Sequence, residues 1–285
     1  MYVVTGITGQ VGGVVARSLL AAGKPVRAVV RGQVGARVWG DQGCDVAMAD
    51  MQDASALQQA FADAQAVFVL LPPNFDPSLG FPESRQIIEA LHAALKASQP
   101  ARIVCLSTVG AQASQENLLS QLALMEQRLG DLSSPIAFLR AAWFMENAQW
   151  DIASARDSGV IANYLQPLDR AIPMVATADV GCVAAELMQE SWTGHRVVEL
   201  AGPRDVSPND IAQTLAHLLG RDVRAEALPR DQWEDLFRAQ GAMHPQPRLR
   251  MLDGFNEGWL RFENSPRRGE VTLETVLRQR LQAME

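Results

Sequence analysis

A glycine-rich turn close to the start of the chain narrows the choice of fold more than any other segment. Residues 3–13 read Val-Val-Thr-Gly-Ile-Thr-Gly-Gln-Val-Gly-Gly, which predicts a strand, a tight turn and the first turn of a helix. Gly6 would permit the turn, Gly9 would let a ligand approach the backbone, and Gly12 would let the helix lie close to the strand. In this context the pattern is typical of the first unit of a parallel sheet that binds a dinucleotide.

The first half of the chain alternates short β-branched segments with longer helical ones. Such alternation builds a parallel sheet covered by helices on both faces. The predicted strands are residues 2–5, 25–30, 45–48, 66–71, 102–107 and 136–139, and the predicted helices are 10–22, 54–62, 83–98 and 114–129. We therefore expect an α/β fold with a Rossmann-type doubly wound parallel sheet.

The alternation becomes less regular after residue 140. Helices are predicted over residues 146–157, 179–190, 208–219, 231–239 and 271–282, with short strands near Ile172 and over 197–200. No Gly/Ser linker separates this part from the first. We expect residues 1–150 to form the nucleotide-binding domain. Residues 151–285 are expected to form a smaller C-terminal lobe that partly shares the sheet and forms the substrate pocket.

The charge balance argues against a nucleic-acid partner. The 285 residues carry a formal net charge of −7, and no basic cluster is longer than Arg267-Arg268, whereas a phosphate backbone is bound by clustered cations. No segment approaches the ~20 apolar residues that span a bilayer, and the chain enters a strand directly after Met1, unlike a signal peptide. We predict a cytoplasmic protein without a membrane partner, and the residues leave open whether it forms a homodimer.

Cysteine and histidine spacing predicts no metal site. The three cysteines include no C-x-x-C pair, and the four histidines show no spacing typical of metal ligands. Cys44, Cys105 and Cys182 are therefore expected to be small buried side chains.

The end of the second predicted strand indicates which dinucleotide would bind. An enzyme that selects NAD(H) usually offers Asp or Glu to the ribose hydroxyls at this point. This chain offers Arg31, and a guanidinium suits a 2′-phosphate. The predicted cofactor is therefore NADP(H), with the amides of residues 8–11 binding its diphosphate at the start of the helix. The alternative for Arg31 is a solvated surface cation.

Further cofactor contacts are predicted where strands end, because ligands of such sheets bind outside the carboxyl ends of the strands. Asp50 and Met51 are placed to border the adenine, although Asp50 or Asp53 could equally cap the next helix. Residues 70–72 would line the crevice, unless the Pro-Pro pair only ends the strand. Ser107 and Thr108 would face the nicotinamide ribose or be ordinary turn hydroxyls.

From Val3 to about Glu199 the order of motifs resembles the NmrA-like branch of the atypical short-chain dehydrogenase/reductases. The residues that carry this resemblance are Thr5 to Gly12, Arg31, Asp50, Leu70-Leu71-Pro72, Leu106-Ser107-Thr108, Met125-Glu126 and Leu139 to Asn147. The last segment is similar to the Leu-Arg-x-x-x-Phe/Tyr-x-Glu-Asn turn of that branch. The resemblance implies a member of a family of NADP-binding redox sensors and of reductases of quinones or triphenylmethane dyes.

The residue pair that delivers a proton in the wider superfamily is missing. There, a lysine lowers the pKa of a phenol in a Tyr-x-x-x-Lys pair, so that the phenol can protonate a carbonyl oxygen. The tyrosines of this chain are Tyr2 and Tyr164, and residues 115–128, where the pair would lie, include no lysine. The lysine-based relay of isoflavone-reductase-like proteins is also absent. Ordinary ketone reduction by either relay is excluded.

Two functions remain. An enzyme would pass hydride to an acceptor that is protonated late from water, such as a quinone or a delocalised dye. The alternative is a non-catalytic NADP(H)-binding sensor of the NmrA type that acts through a protein partner. No catalytic residue is identified, and His244 is the histidine that we would test as a proton donor.

Residues after the sixth strand are expected near the nicotinamide and the acceptor, where Asn147 is the obvious polar group. Trp143 and Phe144 could instead form a wedge between sheet and lobe. The predicted cofactor contacts are Gly6, Ile7, Thr8, Gly9, Gln10, Val11, Gly12, Arg31, Asp50, Met51, Leu70, Leu71, Pro72, Ser107, Thr108 and Ala142, and the predicted substrate contacts are Trp143, Phe144 and Asn147.

Aromatic residues of the C-terminal part recur at helical spacing. Trp233 with Phe237, and Phe255 with Trp259, would each lie on one face of a helix. A buried core explains such pairs, and an apolar pocket wall is the alternative.

Overall fold

A computed structural model describes residues 1–284. The strands are β1 (Tyr2–Val4), β2 (Val26–Val30), β3 (Asp45–Met48), β4 (Ala66–Val69), β5 (Ile103–Thr108), β6 (Ile136–Ala141), β7 (Trp143–Phe144), β8 (Val160–Asn163), β9 (Met174–Val175), β10 (His195–Ala201), β11 (Arg224–Ala227) and β12 (Arg267–Arg268). The helices are α1 (Gln10–Ala21), α2 (Gln33–Asp41), α3 (Ala54–Phe61), α4 (Pro82–Ser98), α5 (Ser120–Leu129), α6 (Ile152–Asp157), α7 (Thr177–Gln189), α8 (Pro208–Leu219), α9 (Trp233–Ala239), α10 (Gln246–Glu257) and α11 (Leu273–Gln282), with 3₁₀ helices at Met145–Asp151 and Arg230–Gln232.

Eight parallel strands form the central sheet, in the order β12-β10-β6-β5-β4-β1-β2-β3. Tyr2 of β1 is in register with Val26 of β2 on one side and with Ala66 of β4 on the other. The chain therefore winds outward in both directions from β1, which confirms the predicted doubly wound α/β sheet. The strand order reverses between β1 and β4, where such sheets open a ligand crevice.

Neighbouring residues of each central strand contribute to different cores. Val3 packs with the layer of α3, α4 and α5, whereas Val4 packs with the layer of α1 and α7. Because successive side chains of a strand point to opposite faces, a strand that is covered on both faces must be apolar throughout. β1 and β4 are buried at every position, which explains why β-branched runs located the sheet correctly.

Helix α7 lies directly on α1, and a glycine makes this contact possible. A Cβ atom at Gly181 would overlap the side chain of Val14. The close approach brings the start of α7, Thr177, to Gln10 at the start of α1. A segment far along the sequence is thereby placed beside the glycine-rich turn.

The C-terminal part has a core of its own. Trp233 and Phe237 of α9 are 1% exposed and pack around Tyr164, with ring centroids 5.4 and 5.0 Å from the tyrosine ring. These aromatic residues are therefore core, not pocket wall. The same part also reaches the sheet, because the carboxylate of Glu199 in β10 accepts the backbone N–H groups of Glu263 and of its neighbour in the sequence, at 2.8 Å each.

The prediction of a helix over residues 114–129 was wrong in its first third, since α5 begins at Ser120. The Asn117 side chain accepts the N–H of Leu119 in a local turn, and the Leu118 N–H donates to the carbonyl of Pro247. These contacts hold the segment before α5 in an irregular path. A contact with α10 thus overrides the local helical pattern.

Two helices were missed by the sequence reasoning. In α2 only Trp39 is buried, and the nine-residue segment contains two glycines, which disfavour a helix. In α10 Pro247 would break a helix at an interior position, but it lies in the first turn, where a missing N–H is tolerated. Residues after 150 also contribute β10 and β12 to the sheet. The division at residue 150, with its assignment of nucleotide and substrate parts, stays a prediction.

Candidate functional site

The glycine-rich turn has the geometry that only glycine allows. Gly6 has a φ of +59°, and a Cβ atom there would lie 2.8 Å from Leu70 Cδ2. A Cβ atom at Gly12 would overlap the carbonyl oxygen of Gly6. The Gly9 N–H donates to that same carbonyl at 2.9 Å and closes the turn. The start of α1 is therefore pressed against the end of β1.

The first turn of α1 presents free backbone donors to solvent. The residue before the helix, Gly9, supplies no side-chain cap, and the first turn contains no acidic residue. Within residues 1–284 no carbonyl accepts the N–H groups of Gln10, Val11 or Gly12. Thr8, Gly9 and Gln10 are exposed. Unpaired N–H groups at a helix start, with the positive end of the helix dipole, fit a diphosphate.

Arg31 lies next to this turn. It follows β2 directly, is exposed, and has no hydrogen-bond or ion-pair partner in the described part of the chain. The adjoining helix α2 starts at Gln33 after Gly32, also without a side-chain cap or an acidic first turn. A Cβ atom at Gly35 would lie 3.2 Å from Thr8 Cγ2. The guanidinium, the uncapped start of α2 and the glycine-rich turn thus form one surface that suits two phosphate groups.

Of the two candidate caps after β3, Asp53 is the one that caps the next helix. Asp53 caps α3, since its carboxylate accepts the Ala56 N–H at 2.9 Å. Asp50 accepts the Gln52 N–H at 2.9 Å and stays exposed, whereas Met51 is buried. The predicted contact of Asp50 and Met51 with an adenine stays a prediction.

The crevice floor comes from the ends of β4, β5 and β6. Leu70, Leu71 and Pro72 follow β4 and are half-buried, with Leu70 against Gly6. Thr108 at the end of β5 is half-buried, and Ala142 after β6 is buried. These strand ends lie side by side in the sheet, so the predicted contacts are placed around one edge. Whether each touches a cofactor stays a prediction.

Ser107 is held by a buried ion pair that the sequence reasoning did not identify. Its hydroxyl donates to Glu126 on α5, and Glu126 accepts two hydrogen bonds from the Arg140 guanidinium, at 2.7 and 2.9 Å. Arg140 also donates to Glu263 at 2.5 Å. The side chains of Arg140 and Glu126 are only 7% and 12% exposed. Hydrogen bonding to Glu126 raises the pKa of Arg140, so the guanidinium stays charged.

Neither tyrosine of the described chain lies beside Ser107. Helix α5 presents Glu126 to Ser107, and the residue one turn earlier is Leu122. Tyr2 is buried in β1, and Tyr164 lies in the lobe core, where burial raises the pKa of its phenol. The inference that this chain lacks a Tyr/Lys proton relay stays a prediction from residue types.

The turn after β6 joins the two cores. Trp143 meets the ring of Phe255 edge-on, with centroids 5.1 Å apart, in the lobe core. Phe144 packs instead on the core of the sheet. This split supports the wedge interpretation for both rings. Asn147 is half-buried, and within the described chain its side chain has no hydrogen-bond partner, so it is free to orient a ligand.

Glu146 has a structural role that the sequence reasoning missed. Its buried carboxylate accepts the Thr177 N–H at 2.9 Å and the Thr177 hydroxyl at 2.7 Å, and so caps α7. The cap and the helix are 31 residues apart, and no local pattern links them. The motif contained Glu146, but only the fold shows what it binds.

Contacts between the loop after β4 and the segment before α10 form the rim of the crevice. The Asp76 carboxylate accepts the backbone N–H groups of Met243 and His244 at 2.8 and 2.6 Å. Although desolvation acts in the opposite sense, these bonds lower the pKa of Asp76. Nearby, the Arg248 guanidinium lies 4.4 Å from the Phe237 ring centroid, and burial lowers its pKa. His244 is exposed at this rim, and its backbone N–H, not its imidazole ring, makes the contact with Asp76.

Neither a membrane helix nor a metal cluster is found in residues 1–284. No helix there is long and apolar enough to cross a bilayer. No three His, Cys, Asp or Glu residues are grouped so that they could hold a metal ion.

Comparisons with known proteins agree with this geometry. The NmrA-like family model matches residues 2–255. Quinone oxidoreductase 2 of Escherichia coli (strain K12) is 27% identical over 243 residues, and an NAD(P)H azoreductase of Xenophilus azovorans is 24% identical over 243 residues; each match covers 85% of this chain and 82% of the other. The crystal structure of triphenylmethane reductase from Citrobacter sp., complexed with NADP(H), matches with a TM-score of 0.79 at 21% identity and covers 98% of this chain and 99% of that one.

Proposed function

Because this chain belongs to the NmrA-like family, as its motifs predicted, we propose that it is an NADPH-dependent reductase of quinone-like or other delocalised aromatic acceptors. The observation that carries the proposal is the glycine-rich turn, where the N–H groups at the start of α1 have no partner in the described residues, beside the carboxyl ends of the central strands. The related proteins reduce quinones and azo compounds, as their names state.

The residues of the site fit NADP(H). The N–H groups of Gln10, Val11 and Gly12 would hold the diphosphate, and Arg31 with the start of α2 would hold the 2′-phosphate. Asp50 would border the adenosine. The nicotinamide would then lie over the ends of β4, β5 and β6. When bound, NADPH supplies a hydride.

The chain contributes position and a dry surface to the reaction. Leu70, Leu71 and Pro72 shield one side of the crevice, and Ala142 presents no polar group that would compete for the acceptor. The Ser107 hydroxyl donates its proton to Glu126. Its oxygen can therefore only accept a hydrogen bond from the nicotinamide ribose or the acceptor. A delocalised acceptor tolerates this arrangement, because its ring spreads the charge gained with the hydride until water supplies a proton.

Asn147 is proposed to orient the acceptor. Its half-buried amide can donate to a carbonyl or accept from a hydroxyl. Contact of Trp143 and Phe144 with the acceptor, in addition to their wedge role, stays a prediction. The cytoplasmic location, the absence of a nucleic-acid partner and the possibility of a homodimer stay predictions.

A non-catalytic NADP(H) sensor is the second candidate function. The observation that favours it is the missing Tyr-x-x-x-Lys pair, since a sensor needs a nucleotide site but no relay. Such a protein would act on a partner protein through a surface that changes with the redox state of the nucleotide.

Steady-state consumption of NADPH separates the two functions. We expect turnover with a panel of benzoquinones, naphthoquinones and triphenylmethane dyes, followed by nicotinamide absorbance. Binding of both NADP⁺ and NADPH without consumption by any of these acceptors would overturn the reductase and favour the sensor. The matched control is the Arg31→Ala variant, which should need more NADPH for the same rate.

A further inference from the structure

The C-terminal helix brings a guanidinium to the start of α1. Arg280 Nη2 donates to Gln10 Oε1 at 2.5 Å, although the two residues are 270 positions apart. Helix α11 is anchored by the buried side chains of Leu273, Val276 and Leu277, and it packs against α8 and the 3₁₀ helix Met145–Asp151. Arg280 is half-buried as a result.

The charge of Arg280 is not neutralised within residues 1–284. No carboxylate of these residues lies within 4.0 Å of its guanidinium. Arg278, on the same helix, instead pairs with Glu274 at 2.5 Å and is exposed. Arg280 therefore brings an unpaired positive charge to the glycine-rich turn, whereas the charge of Arg278 is paired and lies away from it.

The contact also fixes the direction of the Gln10 amide. An arginine only donates hydrogen bonds, so the amide oxygen of Gln10 must face Arg280. The Thr177 hydroxyl oxygen lies 3.4 Å from this same amide oxygen, but its proton is donated to Glu146 at 2.7 Å. The amide NH₂ is left without a partner in the described chain and belongs to the first residue of α1, whose side chain is exposed.

We propose that Arg280 is a positioning residue for the cofactor diphosphate. It holds the Gln10 amide so that the NH₂ group donates to the diphosphate, and it adds an uncompensated positive charge on that side of the turn. The inference rests on the proposed nucleotide site and assigns the C-terminal helix a part in it. Since NADPH and NADH share the diphosphate, Arg280 strengthens the binding of both, whereas Arg31 distinguishes them.

Calorimetric titration of the full chain with NADPH and with NADH tests this role. We expect Arg280→Ala to weaken the binding of both nucleotides about fivefold, as expected for a solvent-accessible charge-assisted contact. Arg280→Lys should recover part of the loss, because it keeps the charge but not the forked donor. Arg278→Ala, on the same helix, should leave both affinities unchanged.

The outcomes separate this inference from the function on which it rests. If the unaltered protein binds neither nucleotide, the proposed function fails. If the unaltered protein binds them and Arg280→Ala behaves like Arg278→Ala, or weakens NADPH alone, the positioning role is overturned.

A second variant tests whether Arg280→Ala weakens nucleotide binding only because it destabilises the packing of α11. Gln10→Ala leaves that helix unaltered and should weaken both nucleotides to a similar extent. The Gln10→Ala and Arg280→Ala losses should not add in the double variant, because the two side chains act as one unit. Fully additive losses would mean that the side chains act separately and would contradict the positioning role.

Discussion

Two single residues decide how the nucleotide site recognises phosphate. Arg31 is exposed and without a partner in the described residues, so nothing in the protein competes with a 2′-phosphate for its guanidinium. Gly12 has no space for even a methyl group. In the proposed nucleotide site, Arg31 would set selectivity and Gly12 would set whether the turn can form.

Replacing Arg31 by alanine should therefore change selectivity. We expect NADPH binding to weaken by about tenfold or more, because a charge-assisted contact is lost, while NADH binding stays within about twofold. Arg224→Ala, which removes an exposed arginine paired with Glu226, is the charge-matched control. Calorimetry with both nucleotides measures the effect, and equal losses for NADPH and NADH would refute the 2′-phosphate assignment.

Replacing Gly12 by alanine should affect folding and binding together. The new methyl group would overlap the Gly6 carbonyl oxygen, so the turn must shift, at a cost of about 1–3 kcal/mol in the free energy of unfolding. Gly40→Ala, inside α2, is the control. The new Cβ would have Val46 of β3 as its nearest neighbour, at 3.8 Å, and the substitution should raise stability slightly. Urea denaturation compares the two, and equal stabilities would show that the turn adapts.

At the scale of elements, a few buried polar contacts hold the strand ends together. Arg140 of β6 connects α5 through Glu126 and the segment before β12 through Glu263. Glu146 fastens the turn after β6 to α7. Both contacts lie next to the crevice, so they fix the positions of Ser107 and Asn147.

Loss of Arg140 should be costly for this reason. Arg140→Ala would leave Glu126 buried without its partner, and we expect the free energy of unfolding to fall by about 3–5 kcal/mol. Arg224→Ala, which breaks an exposed pair with Glu226, should cost less than about 1 kcal/mol. Urea denaturation of both variants measures the difference, and similar losses would mean that the Arg140 pair contributes no more than a surface one.

At the scale of the whole molecule, a buried carboxyl in the lobe makes stability depend on pH. Burial raises the pKa of Asp151 from 3.8 to about 7, and no group of residues 1–284 donates a hydrogen bond to its carboxylate. Between these two values the folded state holds a proton that the unfolded state has released. Stability therefore falls as the pH rises through this window, and the full cost of ionising Asp151 is present above about pH 7.

Asp151→Asn should accordingly stabilise the protein more at pH 8 than at pH 5. A shift of this size corresponds to at most about 4 kcal/mol at the higher pH, with a smaller gain at pH 5. Asp157→Asn, at an exposed position of α6, should show no such pH dependence. Thermal unfolding at both pH values measures the gain, and a gain that does not change between pH 5 and pH 8 would contradict the raised pKa.

The sequence by itself determined the sheet and the glycine-rich turn. Strands β1 to β6 follow from runs of apolar residues, and Gly6 and Gly12 follow from a backbone path that admits no side chain. These requirements are met by residues that are near one another in the chain, so a local pattern records them. The sequence alone also determined the family resemblance and the missing Tyr-x-x-x-Lys pair, because both depend only on residue types and their spacing.

Only the tertiary structure decided which side chains meet at the crevice. Ser107 with Glu126 and Arg140, Glu146 with Thr177, and Gln10 with Arg280 come from separate segments. Their contacts depend on how α5, α7 and α11 pack on the sheet. That packing is set by the sum of many apolar contacts across distant segments, which leave no mark in the order of neighbouring residues.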